Sequence, residues 1–140
     1  MDIRITRGLE AAPEAAEIRK AVFVEEQGFE NEFDDIDGYA FHAVLFAENN
    51  IPAACGRLYL SEDNRFIIGR IAVMKPFRRK GFGEKIVTAL ESKARELGGT
   101  ETELSAQVRA KGFYQRLGYS PFGEEYFDEY CPHIAMRKKL

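Results

Sequence analysis

Cysteine and histidine are scarce in this chain of 140 residues, which contains only Cys55, Cys131, His42 and His133. Two cysteines are too few to form a disulfide framework, and these four residues offer no paired spacing of the kind that closes a zinc site. We therefore expect two buried free thiols and no bound metal.

Long apolar runs are also missing. No stretch approaches the roughly 20 consecutive apolar residues that a membrane span needs, and the residues from Met1 to Arg4 lack the apolar run of a secretory signal. A cytoplasmic protein with no membrane partner is expected. The hydrophobic content of 45% supports one ordinary core, and 140 residues are too few for two, so residues 1–140 are predicted to form a single domain.

The charged residues are distributed unevenly along the chain. The formal net charge of -3 argues against a general nucleic-acid binder. An early segment is acidic without any basic residue, and a later segment is mostly basic. The acidic residues are Glu25, Glu26, Glu30, Glu32, Asp34, Asp35 and Asp37, and the basic residues are Arg70, Lys75, Arg78, Arg79, Lys80 and Lys85. One segment suits a cation and the other an anion, unless both are solvated surface.

Periodicity and turn residues predict a mixed α/β (α+β) domain, with one sheet and helices on its faces. The predicted strands are residues 2–7, 41–47, 53–60, 66–74 and 102–106, with a last strand around Ile134 and Met136. The predicted helices are residues 13–28, 81–97 and 108–117. Residues 124–129 are interpreted as an acidic segment that precedes the last strand.

A basic, glycine-containing turn in residues 73–83 links a predicted strand to the start of a helix. Unpaired backbone N–H groups of a first helical turn and the positive end of the helix dipole attract anions. Gly81 and Gly83 would let a phosphate approach the backbone closely. The segment is neither a P-loop nor a dinucleotide fingerprint, because no Gly-Lys-Ser/Thr follows and Ile86 stands where the third glycine belongs. Alone, it predicts a phosphate site or a solvated basic turn.

Together with a second motif downstream, this turn resembles the cofactor loop of the GNAT superfamily of acyl-CoA-dependent N-acyltransferases. The first family motif, Arg/Gln-x-x-Gly-x-Gly/Ala, is matched by Arg78, Gly81 and Gly83. The second, Ala-x-x-Phe-Tyr-x-x-x-Gly-Phe/Tyr, is matched by Ala110, Phe113, Tyr114, Gly118 and Tyr119. Residues 22–27, 35–37 and 132–136 resemble motifs of the small bacterial ElaA/YjcF-type branch, so that the resemblance covers nearly the whole chain.

The resemblance implies a GNAT fold, in which a single mixed, mostly antiparallel sheet is splayed open between the strands at residues 68–74 and 102–106. It implies that acetyl-CoA (CoA) is the cosubstrate, with its pantetheine arm in the split and its pyrophosphate on residues 78–84. The implied cofactor-binding residues are Ile71, Ala72, Val73, Arg78, Arg79, Lys80, Gly81, Phe82, Gly83, Glu84, Gln107, Gly112, Phe113 and Tyr114. Gln107 replaces an asparagine of many members, and a longer amide can make the same hydrogen bonds. Gly112 indicates either close ligand approach or contact between helices.

The resemblance also implies that an amine attacks the thioester directly. An amine of pKa about 10.4 is mostly protonated at neutral pH, so a base or desolvation must help. Tyr114 occupies the position of the family's tyrosine acid and is predicted to protonate the departing thiolate. The candidate bases are Glu26, Asp35, Glu125 and His133. Glu26 is favoured by its motif and His133 by its titration range, although Glu26 could instead bind a cationic substrate.

We expect an N-acetyltransferase that acts on a primary amine of a small molecule, peptide or protein, with a cationic acceptor. A catalytically idle acyl-CoA sensor or partner domain is the alternative, and turnover of acetyl-CoA with a panel of amines separates the two. An RNA-binding module is disfavoured by the overall acidity and by the lack of an aromatic stacking platform, so no nucleic-acid partner is expected. A homodimer is compatible with the sequence.

Overall fold

The fold is built on one mixed sheet. A computed structural model describes all 140 residues. The sheet has 7 strands in the order β1-β2-β3-β4-β5-β7-β6. Their bounds are β1 Asp2–Arg7, β2 Phe41–Ala47, β3 Ile51–Leu60, β4 Phe66–Val73, β5 Glu101–Gln107, β6 Ser120–Asp128 and β7 Cys131–Lys139. All neighbouring strands are antiparallel except β4 and β5, which are parallel.

Three helices connect the strands, α1 Pro13–Arg19, α2 Phe82–Glu96 and α3 Lys111–Arg116. Pro13 begins α1, where its missing N–H would have had no helical partner. The helix then continues in π geometry through Lys20–Glu26. Gly81 precedes α2 with a left-handed φ of 76°, and Gly98 follows it with a φ of 91°. None of these helices combines the length and the apolar composition needed to cross a membrane.

Two apolar clusters cover the two faces of the sheet. On one face, Ile86, Val87, Leu90 and Ala94 of α2 pack with buried residues that include Leu45. On the other face, α1 and the π-helical segment pack with neighbours of Leu45 on β2, whose side chains point the opposite way. The nearly continuous apolar sequence of β2 therefore follows from burial of both of its faces. Helices lie on both faces of the sheet, as predicted. Both cysteines are free and buried, as expected.

The C-terminal hairpin is the main difference from the sequence-based prediction. Residues 124–129, interpreted as an acidic segment, mostly belong to the edge strand β6. Pro121 is tolerated there because β6 pairs on one side only. Gly123 has a φ of 77°, and the pairing register with β7 shifts between Phe122 and Tyr126. This irregularity interrupts the alternation from which a strand is recognised in sequence.

The sheet opens between β4 and β5, as expected from the family resemblance. The two strands pair only from Phe66 to Ile68 on β4 and from Thr102 to Leu104 on β5. Beyond these residues, β4 stays paired with β3 and β5 with β7. The second half of β4 therefore has no strand partner on the side that faces β5.

Candidate functional site

A cleft of about 270 Å³ occupies the opening between β4 and β5. Ile71 of β4 and Gln107 of β5 line its walls, and Tyr114 of α3 and His133 of β7 also face it. The segment that follows the π-helix closes another side through Gln27 and its neighbours. Several residues predicted for cofactor binding or catalysis are thus brought together in one place.

The turn before α2 carries a run of backbone N–H groups that have no partner in the protein. No hydrogen bond, to backbone or side chain, is donated by the N–H groups of residues 79–84, and α2 has no side-chain cap. Lys85 is the first residue of the helix whose N–H is bonded, to the carbonyl of Gly81 at 3.2 Å. We call residues 79–84 the anion loop, because such unpaired amides at a helix N-terminus attract negative charge.

The two glycines of the anion loop are required for different reasons. At Gly81, a Cβ atom would meet nothing within 4 Å, but the φ of 76° is a conformation that side chains disfavour. At Gly83, a Cβ atom would lie 3.3 Å from Cζ of Phe113. Gly81 therefore shapes the turn, whereas Gly83 allows α3 to pack against the start of α2.

Arg78, which immediately precedes the anion loop, is bound by the protein itself. Its guanidinium forms a two-pronged ion pair with Glu26 at 2.7 and 2.6 Å, and its Nε donates to the carbonyl of Val73 at 2.9 Å. The hydrogen bonds from Arg78 are the main cause of the lowered pKa of Glu26, with smaller contributions from Lys75 and Arg109. Arg78 thus ties the loop to the π-helical segment, and Glu26 is held ionised.

Gln107 is likewise engaged within the protein. Its Nε2 donates to Oε1 of Gln27 at 2.9 Å, and its Oε1 accepts from Nε of Arg109 at 2.8 Å. Gln27 and Gln107 both line the cleft, so this bond ties the segment after the π-helix to β5. Arg109 is an exposed cation that lines the cleft and helps to lower the pKa of Glu26. Arg109 is not among the residues predicted from the sequence, because an isolated arginine gives no signal of its own.

Tyr114 presents a hydroxyl group with no hydrogen-bond partner in the protein. Its ring packs edge-on against Phe113 and Tyr119, with ring centroids 5.0 and 6.0 Å apart. Burial raises the pKa of Tyr114 above that of a free tyrosine, which keeps the hydroxyl protonated at neutral pH. The hydroxyl of nearby Tyr119, in contrast, donates to Glu91 at 2.8 Å. Of these two tyrosines, Tyr114 alone has a hydroxyl free for a ligand.

His133 lies across the cleft on β7 and is buried. Its Nδ1 is 2.9 Å from the carbonyl of Cys131, which can only accept, so Nδ1 carries the proton and Nε2 is left as an acceptor. The ring stacks on Tyr126, whose hydroxyl is hydrogen-bonded to that of Ser105. An imidazole nitrogen that the protein leaves without a hydrogen-bond partner is placed to take a proton.

Three carboxylates of the acidic segment, the buried Glu32 and Asp37 and the more exposed Asp34, form a network with arginines. Arg19, only 1% exposed, donates to Asp37 at 2.7 and 3.1 Å and to Glu32 at 2.9 Å. Arg57 bonds both Asp34 and Asp37, at 2.8 and 2.9 Å. Burial opposes ionisation of Asp37, but hydrogen bonds from Arg19, the Asp34 backbone and Arg57 lower its pKa overall.

Arg70 completes this network from β4. It occupies a bulge with a φ of 55°, and its Nε lies 3.0 Å from Glu32. The sequence suggested that these carboxylates either form a cation site or lie on solvated surface, and neither description fits them. They are bonded to arginines of the chain itself, and they fix the segment that closes the cleft.

Several other predicted site residues do not line the cleft. Asp35 and Glu125 are exposed and do not line the cleft. Gly112 is exposed, and a Cβ there would meet only Arg116, at 3.5 Å, so contact between helices does not explain this glycine. Ala72 packs on the face of the sheet that carries α1, and the ring of Phe82 stacks on Phe77.

Comparison with known proteins identifies the family. Residues 10–140 match the family model described as an acetyltransferase (GNAT) domain. The chain belongs to the GNAT family. It is 34% identical over 137 residues to YjcF of Bacillus subtilis, an uncharacterized N-acetyltransferase, with 96% of each chain covered.

Solved GNAT structures agree with this assignment and with the fold. The crystal structure of Escherichia coli ElaA superposes with a TM-score of 0.85 at 26% identity, covering 98% of both chains. An acyl-CoA N-acyltransferase from Pseudomonas aeruginosa superposes with a TM-score of 0.84, also at 26% identity and 98% coverage of both chains. The predicted GNAT fold and the ElaA/YjcF-type branch are confirmed, and the chain is a member of an acyltransferase family.

Proposed function

We propose that this GNAT protein transfers an acetyl group from acetyl-CoA to a primary amine of a small molecule, peptide or protein. One observation carries the proposal: a run of unpaired backbone N–H groups begins a helix whose Gly83 lies against Phe113, and the next residue, Tyr114, holds an unpartnered hydroxyl in the cleft. The first feature suits the pyrophosphate of CoA, and the second suits the sulfur that leaves during transfer.

The anion loop fits the pyrophosphate of CoA by charge as well as by geometry. The amides of residues 79–84 lack partners, and the side chains of Arg79, Lys80 and Lys85 make no ion pair within the chain. Arg109 adds an exposed cation in the cleft. The unpaired side of β4 at Ile71 and Val73 offers backbone groups to the amides of the pantetheine arm, in the manner of an added strand. Arg78 contributes by holding the loop, since its guanidinium is already bound to Glu26.

The acceptor amine must lose a proton before or during its attack on the thioester carbonyl. We propose that Nε2 of His133, directly or through a water molecule, takes this proton as the new C–N bond forms and the C–S bond breaks. Glu26 is less suited to this role, because its lowered pKa makes it a weaker base.

Tyr114 is proposed to act on the departing sulfur. A thiol of pKa about 8.5 is a stronger acid than a buried tyrosine, so complete proton transfer to the thiolate is unfavourable. A hydrogen bond from the hydroxyl to the developing thiolate has no such cost, because the raised pKa keeps Tyr114 protonated. Tyr114 therefore stabilises negative charge where it accumulates.

Substitution Tyr114→Phe tests this proposal, because it removes only the hydroxyl. We expect kcat to fall about 100- to 1,000-fold, as for the loss of one preorganised donor, while the CoA dissociation constant changes little. Tyr119→Phe is the matched control, since it removes a nearby tyrosine hydroxyl that is bonded to Glu91 and Thr102. It should lower stability and leave kcat unchanged.

An unchanged kcat for Tyr114→Phe would remove this residue from the chemistry. An equal loss of CoA binding would mean that the hydroxyl positions the cofactor. Tight CoA binding by the unmodified protein, without turnover of any amine in a broad panel, would instead support the acyl-CoA sensor.

A further inference from the structure

The cleft contains one carboxylate that the protein leaves without a partner. Of the three carboxylates that line it, Glu32 is bound to Arg19 and Arg70. Glu129 accepts the backbone N–H groups of Glu30 and Asn31, at 2.9 and 3.0 Å. Asp128 makes neither a side-chain hydrogen bond nor an ion pair in the chain. Its negative charge is therefore available to a ligand in the cleft.

The pairing of β6 and β7 places Asp128 relative to the proposed base. Tyr126 is the cross-strand partner of His133, and Asp128 follows it by two residues on the same face of β6. Two residues of strand span about 7 Å. The α-carbon of Asp128 thus lies about 7 Å along β6 from that of Tyr126, the partner of His133, and a short alkyl chain can span such a separation.

The surroundings of Asp128 favour a positive charge. Tyr126 and Tyr130, on the same hairpin, are 44% and 59% exposed, and exposed aromatic rings attract cations. The two arginines that line the cleft lie elsewhere. Arg70 is neutralised by Glu32, and Arg109 is bonded to Gln107 at the end near Glu26. No cation of the chain forms an ion pair with Asp128.

We propose that Asp128 binds a second ammonium group of the acceptor, so that the preferred substrates are short-chain amines with two positive charges. This inference rests on the proposed acetyl transfer and narrows its substrate class. One ammonium group would be held at Asp128, and the other nitrogen, once deprotonated, would attack the thioester near His133. Discrimination against a monoamine then comes from a single charge-assisted hydrogen bond.

The test compares two amines that differ only in the second ammonium group, 1,4-diaminobutane and butylamine. With acetyl-CoA and the full-length protein, we expect kcat/KM for the diamine to exceed that for butylamine about 10- to 100-fold. Asp128→Asn should lower kcat/KM for the diamine to the value for butylamine and leave kcat/KM for butylamine unchanged. Glu62→Gln, which removes an exposed and unpaired carboxylate on the turn after β3, controls for net charge.

Equal kcat/KM values for the two amines, or a preference that survives in Asp128→Asn, would overturn the inference and leave the proposed acetyl transfer intact. If neither amine is acetylated, calorimetric titration of the CoA-saturated protein with 1,4-diaminobutane shows whether Asp128 binds the diamine. Binding that is lost in Asp128→Asn supports the assignment of Asp128 even though transfer has failed. Absence of binding to the unmodified protein overturns it.

Discussion

The acidic segment and the anion loop differ in whether folding leaves their polar groups paired. In the acidic segment, Glu32, Asp34 and Asp37 are bound by three arginines from α1, β3 and β4. In the basic segment, the amides of the anion loop have no partner at all. The difference shows that the density of charge along a chain does not mark a binding site. What marks it is polar groups that folding leaves without a partner.

Removing a carboxylate from the paired region should produce the largest change in stability. Asp37 is 4% exposed and is bonded to Arg19, Arg57 and the backbone N–H of Asp34. Asp37→Asn leaves the arginines with an uncompensated buried charge, so we expect a loss of about 3–5 kcal/mol in the free energy of unfolding. Urea denaturation measures this loss. Asp35→Asn, in the same segment but exposed, should change stability by less than about 0.5 kcal/mol. A similar small effect for both variants would show that the network contributes little.

Asp37→Asn should also change how the stability of the fold depends on pH. Because the folded-state pKa of Asp37 is lowered, its contribution is present above the unfolded pKa of about 4 and is lost as pH falls further. Between pH 5 and pH 2, the unmodified protein should therefore lose more stability than Asp37→Asn. Burial raises the pKa of Glu32, which acts in the opposite direction in the unmodified protein. Parallel loss in the two proteins would contradict the assigned role of Asp37.

A substitution in the unpaired region should mainly affect ligand binding. Gly81→Val forces a β-branched residue into a left-handed conformation, which costs about 1–2 kcal/mol and displaces the loop amides. We expect CoA affinity to fall by the equivalent of one charge-assisted hydrogen bond or more, at least about 1.5 kcal/mol. Gly98→Val is the matched control at the other end of α2, because Gly98 also has positive φ and open surroundings. It should lose similar stability and keep its affinity, as calorimetry can determine.

The smallest effect is expected where the two regions touch, at the exposed pair of Glu26 and Arg78. Their side chains are 40% and 36% exposed, so Glu26→Gln should reduce stability by less than about 1 kcal/mol. Turnover should stay within a few-fold, because a carboxylate held ionised by Arg78 is a poor base. The pH dependence of kcat/KM checks this. A fall of about 100-fold with loss of the alkaline-rising limb would identify Glu26, rather than His133, as the base.

Much of the fold could be predicted because both apolar clusters leave clear periodicity in the sequence. The alternation of β1, the apolar run of β2 and the apolar face of α2 are signals of this kind. The resemblance to the GNAT family located the opening between β4 and β5. Strand β6 was missed because Gly123 and its bulge interrupt an exposed edge strand that has almost no apolar face. An edge strand of this type is defined by its neighbour, which the sequence does not identify.

The candidate site was predictable only in part, for a related reason. The motifs located the anion loop and Tyr114, whose surroundings are set by nearby residues. The partners of Glu26 and Glu32 could not be predicted, because Arg78 and Arg70 are distant in sequence and become neighbours only in the fold. Asp128 could not be predicted for the opposite reason. It matters because it has no partner, and this can be recognised only when the partners of the other charged residues are known.

Calorimetric titration tests whether the unpaired amides of residues 79–84 bind the pyrophosphate of CoA. The protein is titrated with CoA and, in the same buffer, with pantetheine, which lacks the pyrophosphate together with the 3′-phosphoadenosine that it carries. Saturable binding of CoA and much weaker binding of pantetheine are expected. At 100 times its dissociation constant, CoA should also stabilise the fold by about 2.7 kcal/mol. Absence of heat with CoA, or equal affinity for the two ligands, would contradict the account.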